Sequence, residues 1–287
     1  MDKEQQPVEG CTVSEETGRF RDVMRVKEVT CKYALSRSRL PGYYYALNPY
    51  RGCGHGCIYC YAPDVLREAR KWGTFVDVKR NLPTVLSKEV KKKKEGVVGI
   101  GTVTDAYQPK ERKYKITRMS LEQLLREDFP ICIQTKSDLV LRDMDLITKF
   151  SDAEVGFTTA FLSEGSRKLF EPNAPPIENR LSALRALHEE GVRTWAFVGP
   201  ILPHVRTEEF IELVHLLAES GVEKVMVDKL NLKKGTRKNI LSGLQAADEG
   251  LRQMYSNLSG KAEHFRNVAD VLKDELRSLD IEFELAF

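Results

Sequence analysis

No apolar run in this chain approaches the roughly 20 residues that a membrane-crossing helix requires, which excludes an integral helical membrane protein. The opening residues Met1-Asp2-Lys3-Glu4-Gln5-Gln6 lack the basic-then-apolar order of a secretory signal. A cytoplasmic location is the expectation. The formal net charge is only +3, short of the basic excess that marks a dedicated nucleic-acid binder. No G-x-G-x-x-G joins a strand to a helix, so the usual dinucleotide fingerprint is missing. No internal repeat and no low-complexity linker breaks the chain. Six cysteines among 287 residues are too sparse for a disulfide scaffold and suit a reducing compartment.

Half of those cysteines stand together. Arg51-Gly52-Cys53-Gly54-His55-Gly56-Cys57-Ile58-Tyr59-Cys60-Tyr61 has the spacing C-x-x-x-C-x-x-C. Three thiolates on one short loop can hold three irons of a 4Fe–4S cubane, and cysteine spacing is what distinguishes the cluster classes. A purely electron-carrying cluster needs a fourth cysteine, and none is near in sequence. One iron is then open to an outside ligand, which points to chemistry. Two other readings compete. A zinc ion with three cysteines and His55 satisfies tetrahedral coordination, although His55 lies between two of the cysteines, where one turn hardly wraps four ligands around one ion. Inert buried thiols are the other, against which stand the three neighbouring glycines. Cys11, Cys31 and Cys132 read as structural or incidental.

Beyond the loop, short β-branched runs alternate with amphipathic stretches. Strands are expected at 43–47, 97–103, 131–135, 154–160, 192–198 and 222–228, and helices at 114–126, 140–150, 177–190 and 207–220. Such alternation predicts βαβ units and a parallel sheet, an α/β protein. Right-handed crossovers leave the open doubly wound sheet or the barrel, and about six units favour a partial (β/α)6 barrel. The expected division is an N-terminal extension at 1–40, the barrel at 41–235 and a C-terminal extension at 236–287. The first dozen residues have no clear periodicity, and partial disorder is expected within 1–40. A closing helix and the strand 281–285 are expected to cover the open side.

In such barrels reactive groups sit at the C-terminal strand ends. The cysteine loop follows the first strand. Thr104 and Asp105 end the second, Lys136 and Ser137 the third, Thr158 and Thr159 the fourth, and Gly199-Pro200 the fifth. Two basic clusters complete the picture. Lys91 to Lys94 close an apparent helix. Lys229, Lys233, Lys234, Arg237 and Lys238 share the loop after the sixth strand, where lysine and arginine suit phosphate contacts. The competing reading is a solvated loop on a nearly neutral protein.

The cysteine stretch, from Ala46 to Ala62, resembles the radical SAM superfamily, and in particular the branch of spore photoproduct lyases and the so-called DNA repair photolyase relatives. The blocks 101–109, 135–143 and 157–203 resemble the same branch. The resemblance implies a partial TIM barrel, a 4Fe–4S cluster on Cys53, Cys57 and Cys60, and S-adenosylmethionine on the open iron. It implies reductive cleavage of that cofactor to a 5′-deoxyadenosyl radical, which takes a hydrogen atom from a substrate. An external one-electron reductant such as a flavodoxin or ferredoxin is implied too. Lys136 would meet the cofactor's carboxylate, Thr158 its ribose and the backbone beside Tyr59 its adenine. Thr104, Asp105 and Ser137 join this set by position. The tyrosines Tyr59 and Tyr61 match a pair tied to hydrogen-atom relay, with packing expected for Tyr59 and Tyr61 left as the catalytic candidate.

The resemblance also breaks at one point. Aligned on Asp105, Thr102 stands where the lyases carry their hydrogen-donor cysteine, and a threonine O–H is too strong to replace it. Cys132 lies roughly 13 Å deeper than Lys136 at the usual strand rise, too remote to substitute. The expectation is therefore a radical SAM enzyme on a nucleic acid, other than a true spore photoproduct lyase. A modifier of a peptide, protein or small metabolite, and a non-catalytic iron–sulfur or zinc protein, stay open as alternatives.

Overall fold

Short Val- and Ile-rich runs, buried on both faces, build a mainly parallel sheet as sheets covered on both sides require. The computed structural model describes residues 24–245, 248–257 and 262–286. In chain order the strands are β1 (Arg25–Val29), β2 (Leu35–Arg37), β3 (Tyr45–Leu47), β4 (Tyr50–Arg51), β5 (Phe75–Lys79), β6 (Val98–Ile100), β7 (Ile131–Thr135), β8 (Ala153–Thr158), β9 (Arg193–Ile201), β10 (Lys224–Lys229) and β11 (Glu282–Leu285). The larger sheet runs β11-β10-β9-β8-β7-β6-β3-β2. Every pairing from β3 to β11 is parallel, and only β2 runs antiparallel, against β3. β3, β6, β7, β8, β9 and β10 are thus the six barrel strands. β11 extends the β10 edge and β2 the β3 edge, and these two ends of the sheet are not paired to each other.

Helices cover the outside of the sheet. Ile177–Glu189 illustrates the rule, with Ile177, Ala183, Leu184 and Leu187 buried at the spacing that puts one helix face on a core. Inside, two strand glycines make room for two aromatic rings. A Cβ on Gly99 would stand 2.6 Å from Tyr43 Cδ2, and one on Gly156 only 2.0 Å from Trp195 Cε2. The rings of Tyr43 and Trp195 fill space that any larger residue at these positions would claim.

A second small sheet, β1-β5-β4, lies beside the cysteine loop. Its β1 is exposed along most of its length. Part of the expected polar extension is therefore paired strand, while residues 1–23, with Cys11, lie outside the described residues. Cys31 exchanges backbone hydrogen bonds with the Asn81 amide at 2.8 and 2.9 Å, a structural position. No helix among the described residues is long and apolar enough to cross a membrane.

Three expected elements change most, while the fifth barrel strand runs on to Ile201 and holds Gly199-Pro200 within it rather than beyond its end. The second barrel strand ends at Ile100, because Gly101 takes φ +91° and Asn48 captures the chain beyond it. Asn48 donates to Thr102 Oγ1 at 2.9 Å and accepts from Val103 N at 2.9 Å. The helix expected over 114–126 splits at Lys115, which has φ +53° and separates Glu111–Tyr114 from Ile116–Leu125. The stretch 140–150 is a 3-10 turn, Asp138–Asp143, followed by the short helix Met144–Ile147. The lysines Lys91 to Lys94 fall just past the helix Leu82–Glu89.

Candidate active site

The cysteine loop leaves β4 through Gly52, whose φ is +86° and whose added Cβ would lie 2.4 Å from the Phe75 carbonyl oxygen. Only glycine fits so close an approach to backbone. From there side chains of the turns after β6 and before the helix Ile177–Glu189 hold the loop by its main chain. Gly52 O accepts from Thr104 Oγ1 at 2.7 Å and from Gln108 Nε2 at 3.2 Å, and Gly54 N donates to Gln108 Oε1 at 2.8 Å. On the other side Asn173 Nδ2 donates to Gly54 O at 3.1 Å, Asn173 N to His55 O at 3.2 Å, and Ile58 N to Phe170 O at 2.9 Å. With the backbone satisfied in this way, the three thiols are free to turn inward. Cys53, Cys57 and Cys60 are unbridged and line one cavity of about 110 Å³ together with Tyr61, Lys136 and Thr158.

Among the described residues no three Cys, His, Asp or Glu side chains converge closely on one point. His55 instead sets Nδ1 3.3 Å from Asp105 Oδ2. Burial alone would push its imidazole down, but Asp105 and Cys53 beside it carry it up to about 10. Asp105 answers in the other direction, held at about 2 against its burial by His55 and by hydrogen bonds from Lys136 N and Thr135. Burial raises the Cys57 thiol well above its usual value and takes Cys60 to about 12, with Lys136 opposing the rise at both. Buried thiols facing a lysine, on a cavity wider than one ion, are a donor set for a multinuclear group. Binding such a group drives the protons off the thiols.

Lys136 is held by a buried charge cluster that the sequence does not announce. Its Nζ is 3.8 Å from Glu171 Oε1 and 5.6 Å from the centroid of the Tyr59 ring. Glu171, wholly buried, also accepts from the Tyr59 hydroxyl and from Arg180 Nη2. Arg180, equally buried, donates to Thr158 O at 2.7 Å and Pro175 O at 2.9 Å. Burial would raise the Glu171 carboxyl, yet Arg180 and Lys136 keep it below its usual value. One signal was there to find. Arg180 lies on the apolar stripe of its helix with Ile177, Leu184 and Leu187, where a solvated arginine has no place.

Each of the other sequence candidates has a definite setting. Thr104 and Asp105 use their polar atoms on the protein itself: Thr104 on Gly52 O, Asp105 on Thr135 Oγ1 at 2.7 Å, Lys136 N at 2.9 Å and Tyr107 N at 2.8 Å. Ser137 caps the following turn, accepting from Leu139 N at 3.3 Å. Thr158 Oγ1 accepts from Gln134 Nε2 at 3.2 Å. Tyr59 packs edge-on to Phe161 with centroids 6.4 Å apart. Tyr61 keeps its ring part exposed while its hydroxyl donates to Thr102 O, and burial of that hydroxyl next to Cys60 raises it to about 12. Cys132 does not join them. It sits with Tyr43, 3.4 Å from the phenol oxygen, in a separate cavity of about 290 Å³ that also includes Trp195.

The profile of the Radical SAM superfamily matches residues 47–217, a span from the end of β3 to the helix Thr207–Glu219. The chain belongs to the radical SAM superfamily. Protein MJ0683 of Methanocaldococcus jannaschii is 38% identical over 191 residues, covering 66% of this chain and 72% of that protein. Rv2578c of Mycobacterium tuberculosis is 28% identical over 282 residues, 92% of this chain and 83% of its own. Among solved structures, spore photoproduct lyase complexed with dinucleoside spore photoproduct aligns with a TM-score of 0.72 at 16% identity, covering 91% of this chain and 82% of that one. Streptococcus suis SuiB bound to S-adenosylmethionine aligns at 0.56 and 12% identity, over 84% of this chain and 49% of that one. Both likenesses are of fold. As a radical SAM enzyme the chain takes S-adenosylmethionine and a 4Fe–4S cluster, and the residues at the barrel mouth fit that pair.

Proposed function

We propose that Cys53, Cys57 and Cys60 hold the 4Fe–4S cluster and leave one iron for S-adenosylmethionine. The reading rests on three unbridged thiols that share one cavity with the buried Lys136. Bound there, cluster and cofactor together supply one-electron cleavage and hydrogen-atom abstraction, chemistry that belongs to the cofactors. The protein's own part is placement. Lys136, fixed by Glu171, offers a cation to the cofactor's carboxylate as a charge-assisted donor, and Thr158, on the next strand end, faces the same cavity for the ribose. Thr104 and Asp105 act one step back, on the loop and on Lys136 N. Tyr61 stands at the cavity wall with its hydroxyl turned inward, the candidate for hydrogen relay. The thiolate set needs a reducing compartment, the cytoplasm, and an external one-electron donor.

The substrate in this reading is a nucleic acid. An open groove of about 660 Å³ is lined by Lys234, Arg237 and Lys238, on the helix that follows the C-terminal end of β10, and by Arg252 of the next helix, Glu249–Ser256. Such cations contact phosphate without reading sequence. Thr102 lines the active cavity with its hydroxyl engaged by Asn48, and offers no hydrogen donor of the lyase kind, so a reaction other than spore photoproduct cleavage is proposed. Anaerobic reconstitution tests the core: bound iron and sulfide and formation of 5′-deoxyadenosine under reduction support it, whereas a lone zinc ends it. Deuterated damaged DNA or transfer RNA that fails to label deoxyadenosine counts against the nucleic-acid substrate.

A further inference from the structure

The helix Lys234–Leu244 carries Lys234, Arg237 and Lys238, at the spacing that puts them on one face, and so supplies most of the cationic groove. The same helix is keyed at its far end to the cysteine loop and at its start to the short helix Ala62–Leu66 that directly follows that loop. At its start the capping residue Lys233 contributes no side-chain bond. The cap comes from Asp64 instead, four residues beyond Cys60, which accepts from Gly235 N at 3.1 Å, Thr236 N at 2.9 Å and Thr236 Oγ1 at 2.8 Å. At its far end a Cβ on Gly243 would come within 2.9 Å of Ile58 Cγ2, and Ile58 lies between Cys57 and Cys60. Ile58 is in turn bonded through its N–H to Phe170 O, so pressure on its side chain is borne by the loop itself.

The two glycines sharpen the point. Glycine is a poor helix former, and this helix has one at each of these two contacts, Gly235 in its first turn and Gly243 in its last. Gly235 lets the Asp64 carboxylate sit against the backbone, its added Cβ falling 2.4 Å from Oδ1. Gly243 lets Ile58 do the same.

We propose that this helix is a lever between the cationic groove and the cysteine loop, with Asp64, Gly235 and Gly243 as positioning residues. A phosphate backbone seated along Lys234, Arg237 and Lys238 thereby sets the position of Cys57 and Cys60. The occupant follows from the nucleic-acid reading above; the lever itself follows from the contacts. A bound chain biases the loop only by holding one helix position better than another, and the coupling is reciprocal, so cofactor binding strengthens oligonucleotide binding by the same factor.

The test uses the full-length protein with its cluster reconstituted. A labelled single-stranded oligonucleotide is titrated by fluorescence anisotropy, and S-adenosylmethionine affinity and the EPR spectrum of the reduced cluster are measured with and without it. The expected result is tighter cofactor binding, about fivefold at the lower end of ordinary couplings, with a changed EPR line shape. In Asp64→Ala the oligonucleotide still binds while the effect on the cofactor disappears. Without any oligonucleotide, Gly243→Ala, which presses a methyl group on Ile58, alters the EPR spectrum at unchanged iron content. An oligonucleotide that binds and leaves cofactor affinity and EPR unchanged overturns the proposal, and so does a wild-type spectrum from Gly243→Ala. Failure of any oligonucleotide to bind brings down the nucleic-acid reading instead, and the Gly243→Ala spectrum then decides the lever alone.

Discussion

The two ends of the barrel are built on opposite principles, although strand β7 reaches both. At the C-terminal mouth it delivers Lys136 into a cluster of buried charges with Glu171, Arg180, Asp105 and His55. At the other end it delivers Cys132 beneath Tyr43 and Trp195, where aromatic rings lie over glycines. Packing of the second kind stabilises a fold directly. Buried ion pairs contribute little net stability, since desolvation offsets their attraction, but losing one partner is expensive. The mouth is therefore the more fragile under single substitutions that remove one member of a charged pair.

Replacing Cys57 with alanine is the most severe break at the mouth: iron and sulfide content should fall and 5′-deoxyadenosine should drop below detection, with far-ultraviolet circular dichroism unchanged. Next comes Arg180→Met, which leaves the buried Glu171 carboxylate with Lys136 and the Tyr59 hydroxyl but without its arginine, and should cost about 3–5 kcal/mol in urea unfolding. Adding Glu171→Gln to it should recover part of that loss, because the two act as one unit. At the floor, Gly156→Ala drives a methyl group into the Trp195 indole and should cost about 1–3 kcal/mol by overpacking, seen in urea unfolding together with altered tryptophan emission.

A pH effect belongs to neither end. His204, stacked on Phe170 at 4.7 Å and bonded to Tyr255 OH at 2.8 Å, is lowered by burial from 6.5 to about 4. The unfolded chain takes up that proton first, so stability should fall as pH drops from 6.5 toward 4 and change no further from this group below that. Urea midpoints across this window should show the slope in wild type and a shallower one in His204→Gln. The smallest effect is expected for Cys132→Ala. Cofactor cleavage and hydrogen transfer should persist, and a loss of hydrogen transfer with cluster and fold intact would place the floor cysteine in the chemistry after all.

The sequence spoke most clearly where geometry demands fixed spacing. Cys53, Cys57 and Cys60 could be read together because three thiols on one loop leave few alternatives, and the six parallel strands because apolar runs alternate with helical stripes. It was silent where a local conformation depends on distant partners. Lys115 interrupts a helix with a left-handed backbone that no glycine signals. β1 reads as polar coil because most of its side chains face out, and only β5 makes it a strand. Arg180 shows itself only as a charge on an apolar helix stripe, and Glu171 carries no local sign at all, since the pair is completed by Tyr59 and Lys136 from distant parts of the chain.

The sheet that begins at β2 and stops at β11 forms a ring with a seam. No ladder of backbone hydrogen bonds closes that seam among the described residues. At the mouth it is spanned instead by Asp64 holding Gly235 and Thr236 and by Ile58 against Gly243, contacts that can part without breaking any strand pairing.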